Sequence, residues 1–124
     1  MCGGPTTRPV IVFAQQTKAG IGTSFTTVWA VEGASEPISL FASYKVQLQM
    51  DGIPLVATAQ SLVANTNIKF GTVTLIVRDL AGEGKLTAGD SFLVYGMTTD
   101  HDWKFSLIWS ADANEIASKS WSTP

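Results

Sequence analysis

The chain has 124 residues, of which 45% are hydrophobic and 15% are charged, and its formal net charge is −2. A chain of this length can bury roughly two-thirds of its unfolded surface, so a single core without disulfides is feasible. The eight basic residues are scattered singly, which argues against a binding surface for nucleic acid. Most of the remaining polar surface comes from 11 serines and 14 threonines, a composition that suits an extracellular β protein.

Residues 1–8 are expected to form a flexible lead, and residues 9–124 a single domain. The glycines and prolines of "MCGGPTTRP" favour a loop over a strand or helix. Cys2 is the only cysteine, so an internal disulfide is impossible. No stretch reaches the about 20 apolar residues that a membrane helix needs.

Strand signals dominate the rest of the chain. Runs rich in β-branched and aromatic residues, bounded by turn residues, lie at 9–16, 23–33, 43–52, 68–79, 91–96, 102–111 and 115–121. The segment 55–67 fits a strand or irregular structure, and Gly71 is expected to bend or bulge the strand at 68–79. Asp51-Gly52 predicts a tight hairpin turn, and Pro54 places the next strand at an edge or at its own start.

Two segments alternate with a period of two, which is typical of strands with one dry face. The expected inward residues are Tyr44, Val46, Leu48 and Met50 in the first segment and Trp103, Phe105, Leu107 and Trp109 in the second. Seven or eight short strands without a convincing long helix predict an all-β fold, an antiparallel β-sandwich of immunoglobulin-like type. The cysteine and tryptophan pattern of true immunoglobulin domains is absent, so the prediction concerns architecture alone.

The stretch "RDLAGEGKLTAGDSF" at 78–92 has the glycine frame of a calcium loop. Counted from Asp79, glycine falls at position 6 and an apolar anchor, Leu86, at position 8, as the twelve-residue loop requires. The candidate metal ligands are Asp79, Glu83, Lys85 through its carbonyl, Thr87 and Asp90.

Ala81 offers no oxygen at position 3, which weakens this ligand set. The alternative is a structural turn in which Leu86 packs inward, the glycines adopt positive φ and Asp90 caps the turn. We therefore expect no cofactor, with weak calcium binding as the open alternative.

No catalytic residues are expected, and the chain is predicted not to be an enzyme. His101 is the only histidine and lies in "TTDHD", which predicts a solvated loop between strands. Of the four tryptophans, Trp121 near the end of the sequence is the one expected to be exposed, and it is the candidate for stacking on a sugar.

Four stretches resemble the soluble head domain of archaeal type IV pilin-like surface proteins. The glycine-rich start "MCGGPTTRPVIVFAQQ" looks like the segment that follows the apolar N-terminal helix of that family, and "SLFASYKVQLQMDG" is similar to a strand and turn of its head. "VRDLAGEGKLTAGDSFLV" resembles the family segment D-x-D-G-D-G-K-L-S-A-G-D-x-F, and "FSLIWSADANEIASKSW" its final hairpin. Ala81 and Glu83 depart from the acids of that segment.

The resemblance implies a non-enzymatic extracellular domain at the cell surface, with a structural role in filament assembly or adhesion. It implies filament or cell-surface subunits as partners, with self-association as an option, and membrane contact only through an N-terminal helix that these residues do not include. The alternative function is a carbohydrate-binding β-sandwich module with a structural calcium loop.

Overall fold

The structure is a computed structural model that describes residues 10–14, 17–21, 24–35, 40–79, 82, 84–111 and 113–123. The predicted lead at 1–8 lies outside the described residues, as does Glu83. The one helix in the described part of the chain is a three-residue 3₁₀ turn at Phe41–Ser43. No described helix is long and apolar enough to span a bilayer.

Eleven strands form among the described residues. They are β1 (Ile11–Phe13), β2 (Thr17–Ile21), β3 (Ser24–Ala34), β4 (Tyr44–Met50), β5 (Ile53–Pro54), β6 (Gln60–Ser61), β7 (Ile68–Phe70), β8 (Val73–Arg78), β9 (Ser91–Met97), β10 (His101–Trp109) and β11 (Asn114–Thr123).

The strands form two antiparallel sheets that pack as a sandwich. One sheet has the order β1-β3-β9-β8-β7, with β2 also on β3, and the other has the order β11-β10-β4-β5, with β6 also on β4. Seven of these strands follow the immunoglobulin order: β1-β3-β9-β8 corresponds to A-B-E-D and β11-β10-β4 to G-F-C. The predicted antiparallel β-sandwich is therefore confirmed, but eleven strands form where seven or eight were predicted, because four short strands flank the main seven.

The core forms because alternate side chains of the two sheets face each other. Tyr44, Val46 and Leu48 are fully buried on β4, and the four predicted residues of β10 are buried as well. An aromatic cluster fills the centre, where Trp29 stacks on Phe92 with ring centroids 5.6 Å apart. Large aromatic rings bury much apolar area per residue, which explains how a chain without disulfides holds two sheets together.

One predicted strand needs correction, and one observed strand has no counterpart in the prediction. The segment 68–79 is a hairpin and not one strand, because Gly71 has a φ of 67° and forms a two-residue turn with Thr72. Strand β2 was not predicted, since "TKAGI" carries no β-branched run and is a strand through its pairing with β3. The ambiguous segment 55–67 is mainly irregular and contains only the two-residue strand β6.

The predicted turn at Asp51-Gly52 is confirmed, with φ angles of 53° and 81°. Both central residues of a type I′ turn need positive φ, which suits this dipeptide. Pro54 lies in β5 at the edge of its sheet, as predicted, where its missing N–H breaks no ladder.

Candidate functional site

The loop 79–90 joins β8 to β9 at one end of the sandwich. Lys85 forms a β-bridge with Leu40, which ties this loop to the segment that precedes β4. Leu86 is fully buried, so the predicted apolar anchor is confirmed. The loop is thus held at two points.

Both described carboxylates of this loop bind its own backbone. Asp79 Oδ1 accepts the N–H of Gly82 at 3.1 Å, and Oδ2 accepts the N–H of Gly84 at 2.7 Å. Asp90 is fully buried, and its Oδ2 accepts the N–H of Thr87 at 2.8 Å. The predicted capping role of Asp90 and the predicted positive φ of Gly82 and Gly84 are confirmed.

These hydrogen bonds involve two of the predicted calcium ligands, Asp79 and Asp90. Each carboxylate oxygen of Asp79 accepts a backbone N–H, so Asp79 holds the loop backbone without needing an ion. No group of three or more His, Cys, Asp or Glu among the described residues is arranged to hold a metal. The described carboxylates are thus acceptors in a hydrogen-bonded turn, and calcium binding through Asp79, Glu83, Lys85, Thr87 and Asp90 stays a prediction.

The expected exposure of Trp121 is wrong. Its side chain is 6% exposed, its indole N–H donates to Met97 Sδ at 3.1 Å, and its ring lies 5.5 Å from that of Trp29. The position is inward because Trp121 pairs with Trp103 of β10, which also faces the core. All four tryptophans are buried, so none presents a ring face for the predicted stacking on a sugar.

A polar cluster lies at the opposite end of the sandwich. Asp51 Oδ2 lies 2.6 Å from Nδ1 of His101, and Asp51 Oδ1 accepts the N–H of Asp102 at 2.9 Å. The Ser122 hydroxyl donates to Asp102 Oδ1 at 2.6 Å. One carboxylate thus joins the β4–β5 turn to the start of β10, and a second joins β10 to β11.

His101 is the first residue of β10, whereas the sequence predicts a solvated loop at this position. Its backbone N–H donates to the Thr123 hydroxyl at 3.2 Å, and its side chain is 30% exposed. A recess of about 120 Å³ beside it is lined by Asp51, Asp100, His101, Asp102 and Thr123.

The charge state of Asp51 follows from these contacts. The N–H of Asp102, the hydrogen bond with His101 and the nearby histidine charge together hold the pKa of the Asp51 carboxyl below its ordinary value of 3.8. All three favour the ionised form and outweigh the opposing effect of burial. Asp51 is therefore a carboxylate throughout the neutral range.

A shallow groove of about 410 Å³ lies next to this cluster on the outer face of the five-stranded sheet. Gln49, Lys104 and Ser120 occupy one row of paired residues across β4, β10 and β11. Asp102 and Ser122 form the neighbouring row. The groove therefore presents a carboxamide, an ammonium, a carboxylate and two hydroxyls, which can hydrogen-bond a polar ligand from several directions.

Sequence reasoning singled out neither the groove nor the contact between Asp51 and His101. These residues are 50 positions apart, and their meeting depends on the pairing of Met50 with Trp103. Both segments alternate clearly, but alternation gives the inward face of each strand and not the register between two strands.

Comparison of the sequence with known protein families gives no matching family. No curated protein matches it. No solved structure matches it. The resemblance to archaeal pilin-like heads is thus a prediction that rests on the quoted stretches alone.

Proposed function

We propose that the chain is a non-enzymatic extracellular domain of an archaeal type IV pilin-like surface protein, with a structural role in filament assembly or adhesion. The carrying observation is that three family-like stretches each fall on a unit of the sandwich. "SYKVQLQMDG" is β4 with its turn, "VRDLAGEGKLTAGDSFLV" runs from β8 through the capped loop into β9, and "FSLIWSADANEIASKSW" is the β10–β11 hairpin. Each of the three stretches therefore contains a strand together with the turn or loop that follows it.

The chemistry of the surface supports the same role. On the outer face of the five-stranded sheet, β11 carries three serines, β10 carries Lys104, and β4 carries Lys45 and two glutamines. A surface of hydroxyls and amides with a net charge near zero produces little long-range repulsion between neighbouring copies. Copies of such a domain can therefore pack close to one another.

Cell fractionation tests this proposal. An antibody against the chain should label the outside of intact cells, and the chain should enter the sheared filament fraction. An apolar stretch of about 20 residues encoded directly upstream of Met1 would support the same assignment. Recovery of the chain in the cytosol alone, with no such stretch upstream, would exclude it.

The groove favours a second candidate function, binding of a neutral saccharide. Sugar hydroxyls both donate and accept, and the amide of Gln49 and the carboxylate of Asp102 can match them in pairs. Since no tryptophan ring is exposed, affinity would depend on hydrogen bonds alone and would be weak.

Titration with soluble polysaccharides, followed by amide chemical shifts, tests the second candidate. Shifts should cluster at β10 and β11, and Gln49→Ala should weaken binding about tenfold through loss of two hydrogen bonds. Lys45→Ala is the matched control, because Lys45 lies on the same face of β4 two rows away from Gln49. Equal weakening by both variants would rule out the groove as the site.

A further inference from the structure

The outer face of the six-stranded sheet carries an apolar row across its three central strands. Val28 of β3 pairs with Leu93 of β9, which pairs with Ile76 of β8. Their neighbours along the strands face the core, so these three side chains point away from it. Val28 is 36% exposed, and the other two are half-buried.

Two opposite charges flank this row on the same side. Arg78 of β8 lies one row beyond Ile76, in line with Ser91 and Ala30. Glu32 lies on β3 two residues past Ala30. Both side chains are exposed, and neither forms an ion pair with another described residue.

A two-fold axis along β9, between two such faces, would match these features. It sets β3 of one copy over β8 of the other, so that Leu93 meets Leu93 and Val28 meets Ile76 of the second copy. Arg78 then faces Ala30 of the second copy, about 7 Å along the strand from its Glu32, within reach of an extended arginine side chain. The symmetry forms two such pairs at once.

We propose that this outer face is a contact between two copies of the chain, packed as aligned sheets about the two-fold axis. This inference adds a partner to the proposed surface domain. The biological role of the contact rests on the proposed function, whereas the contact itself does not.

The size of the face determines how strong this contact can be. The face is five strands wide, so five strand widths of about 4.8 Å and six residues of about 3.4 Å give a flat area of roughly 500 Å². A standard interface buries about 800 Å² on each partner. The dimer is therefore weak, and it forms at high local concentration, as in a filament or surface layer.

Sedimentation of the whole purified chain from about 10 µM to about 2 mM tests the contact. The average mass should rise with concentration, and Val28→Lys should weaken association about tenfold or more, because it places a charge in the apolar row. Glu32→Arg and Arg78→Glu should each weaken it, and the double variant should restore it. Ile53→Lys is the matched control, since Ile53 is 69% exposed on β5 of the other sheet.

Glu32, Arg78 and the control residue Ile53 are all exposed, so circular dichroism and thermal melting of their variants should match the wild type. A chain that stays monomeric throughout the range overturns the proposal, and so does equal weakening by Val28→Lys and Ile53→Lys. Failure of the charge reversal to restore association overturns the two-fold arrangement. If the chain is recovered from sheared filaments but stays monomeric in sedimentation, the contact is contradicted and the surface role is not. If the chain dimerises but is found only in the cytosol, the surface role is contradicted and the contact is not.

Discussion

Asp51 is a single residue that connects two parts of the chain distant in sequence. Its carboxylate accepts one backbone N–H from β10 and contacts the imidazole of His101, although it lies in a hairpin turn. The contact uses a residue that the type I′ turn already selects for its positive φ. Asp51 therefore both suits the turn geometry and connects two distant segments of the chain.

Asp51→Asn is expected to lower stability at neutral pH. Since the pKa of Asp51 is lowered in the folded chain, its stabilisation is complete above 3.8 and is lost as the pH falls through the folded value. The wild type and the variant should therefore differ in urea midpoint at pH 7 and converge once the pH falls below the lowered pKa of Asp51 in the folded chain.

Asp100→Asn is the control for this change. Asp100 is exposed and has a φ of 63°, which asparagine adopts as readily as aspartate. A urea midpoint shift as large as that of Asp51→Asn would mean that general surface charge, and not the contact with His101, is responsible.

At the scale of elements, β9 contains a glycine whose absence of a side chain is required. Gly96 has a φ of 85° and lies at a register shift between β3 and β9. A Cβ built at this position would lie 2.7 Å from the carbonyl oxygen of Thr72. The bulge and the close approach of β8 both depend on this residue.

Gly96→Ala should lower the free energy of unfolding by about 2–4 kcal/mol, from positive φ together with a backbone clash. Gly71→Ala should cost only about 1 kcal/mol, because Gly71 has a φ of 67° but open space around it. Chemical unfolding of both variants measures the difference, and equal losses would contradict the role given to the clash.

The loop 79–90 gives a prediction about its carboxylate caps. Asp79→Ala removes the acceptor of two backbone N–H groups and should cost about 1–2 kcal/mol. If the loop is a turn without an ion, the melting temperature of the wild type should be the same in about 1 mM calcium and in chelator. A higher melting temperature with calcium, lost in Asp79→Ala, would establish the metal site instead.

The elements that could be predicted from sequence were those with a strong local signal. Alternation identified β4 and β10 with their inward faces, and glycine spacing identified the anchored loop with Leu86 inside. Strand β2 and the exposure of Trp121 could not be predicted, because both depend on what pairs with them. The polar cluster and the groove were hidden for the same reason, since they arise from the register between strands of one sheet.

At the scale of the whole molecule, the sandwich has to protect its free edges. Strand β11 is ten residues long and forms an edge, which makes it a template for unwanted pairing. Lys119 lies in its inward row opposite Phe105, and its ammonium donates to the Ala14 carbonyl at 2.9 Å. One lysine thus joins the two sheets and places a charge beside the exposed edge.

Lys119→Met should remove both effects. We expect a loss of about 1 kcal/mol in the free energy of unfolding and faster aggregation near the melting temperature, measured by light scattering. Lys45→Met makes the same charge change on the exposed outer face of β4, a strand with neighbours on both sides, and should leave scattering unchanged. Comparable aggregation of the two variants would refute edge protection by Lys119.

The burial of all four tryptophans also has a spectroscopic consequence. Indoles held in an apolar core emit at shorter wavelength than those in water, so intrinsic fluorescence should shift to the red when the sandwich opens. Trp103 and Trp121 nevertheless line the groove on the five-stranded sheet, although their rings face the core. A ligand in the groove should therefore change the emission, whereas a second copy on the outer face of the six-stranded sheet should leave it almost unchanged.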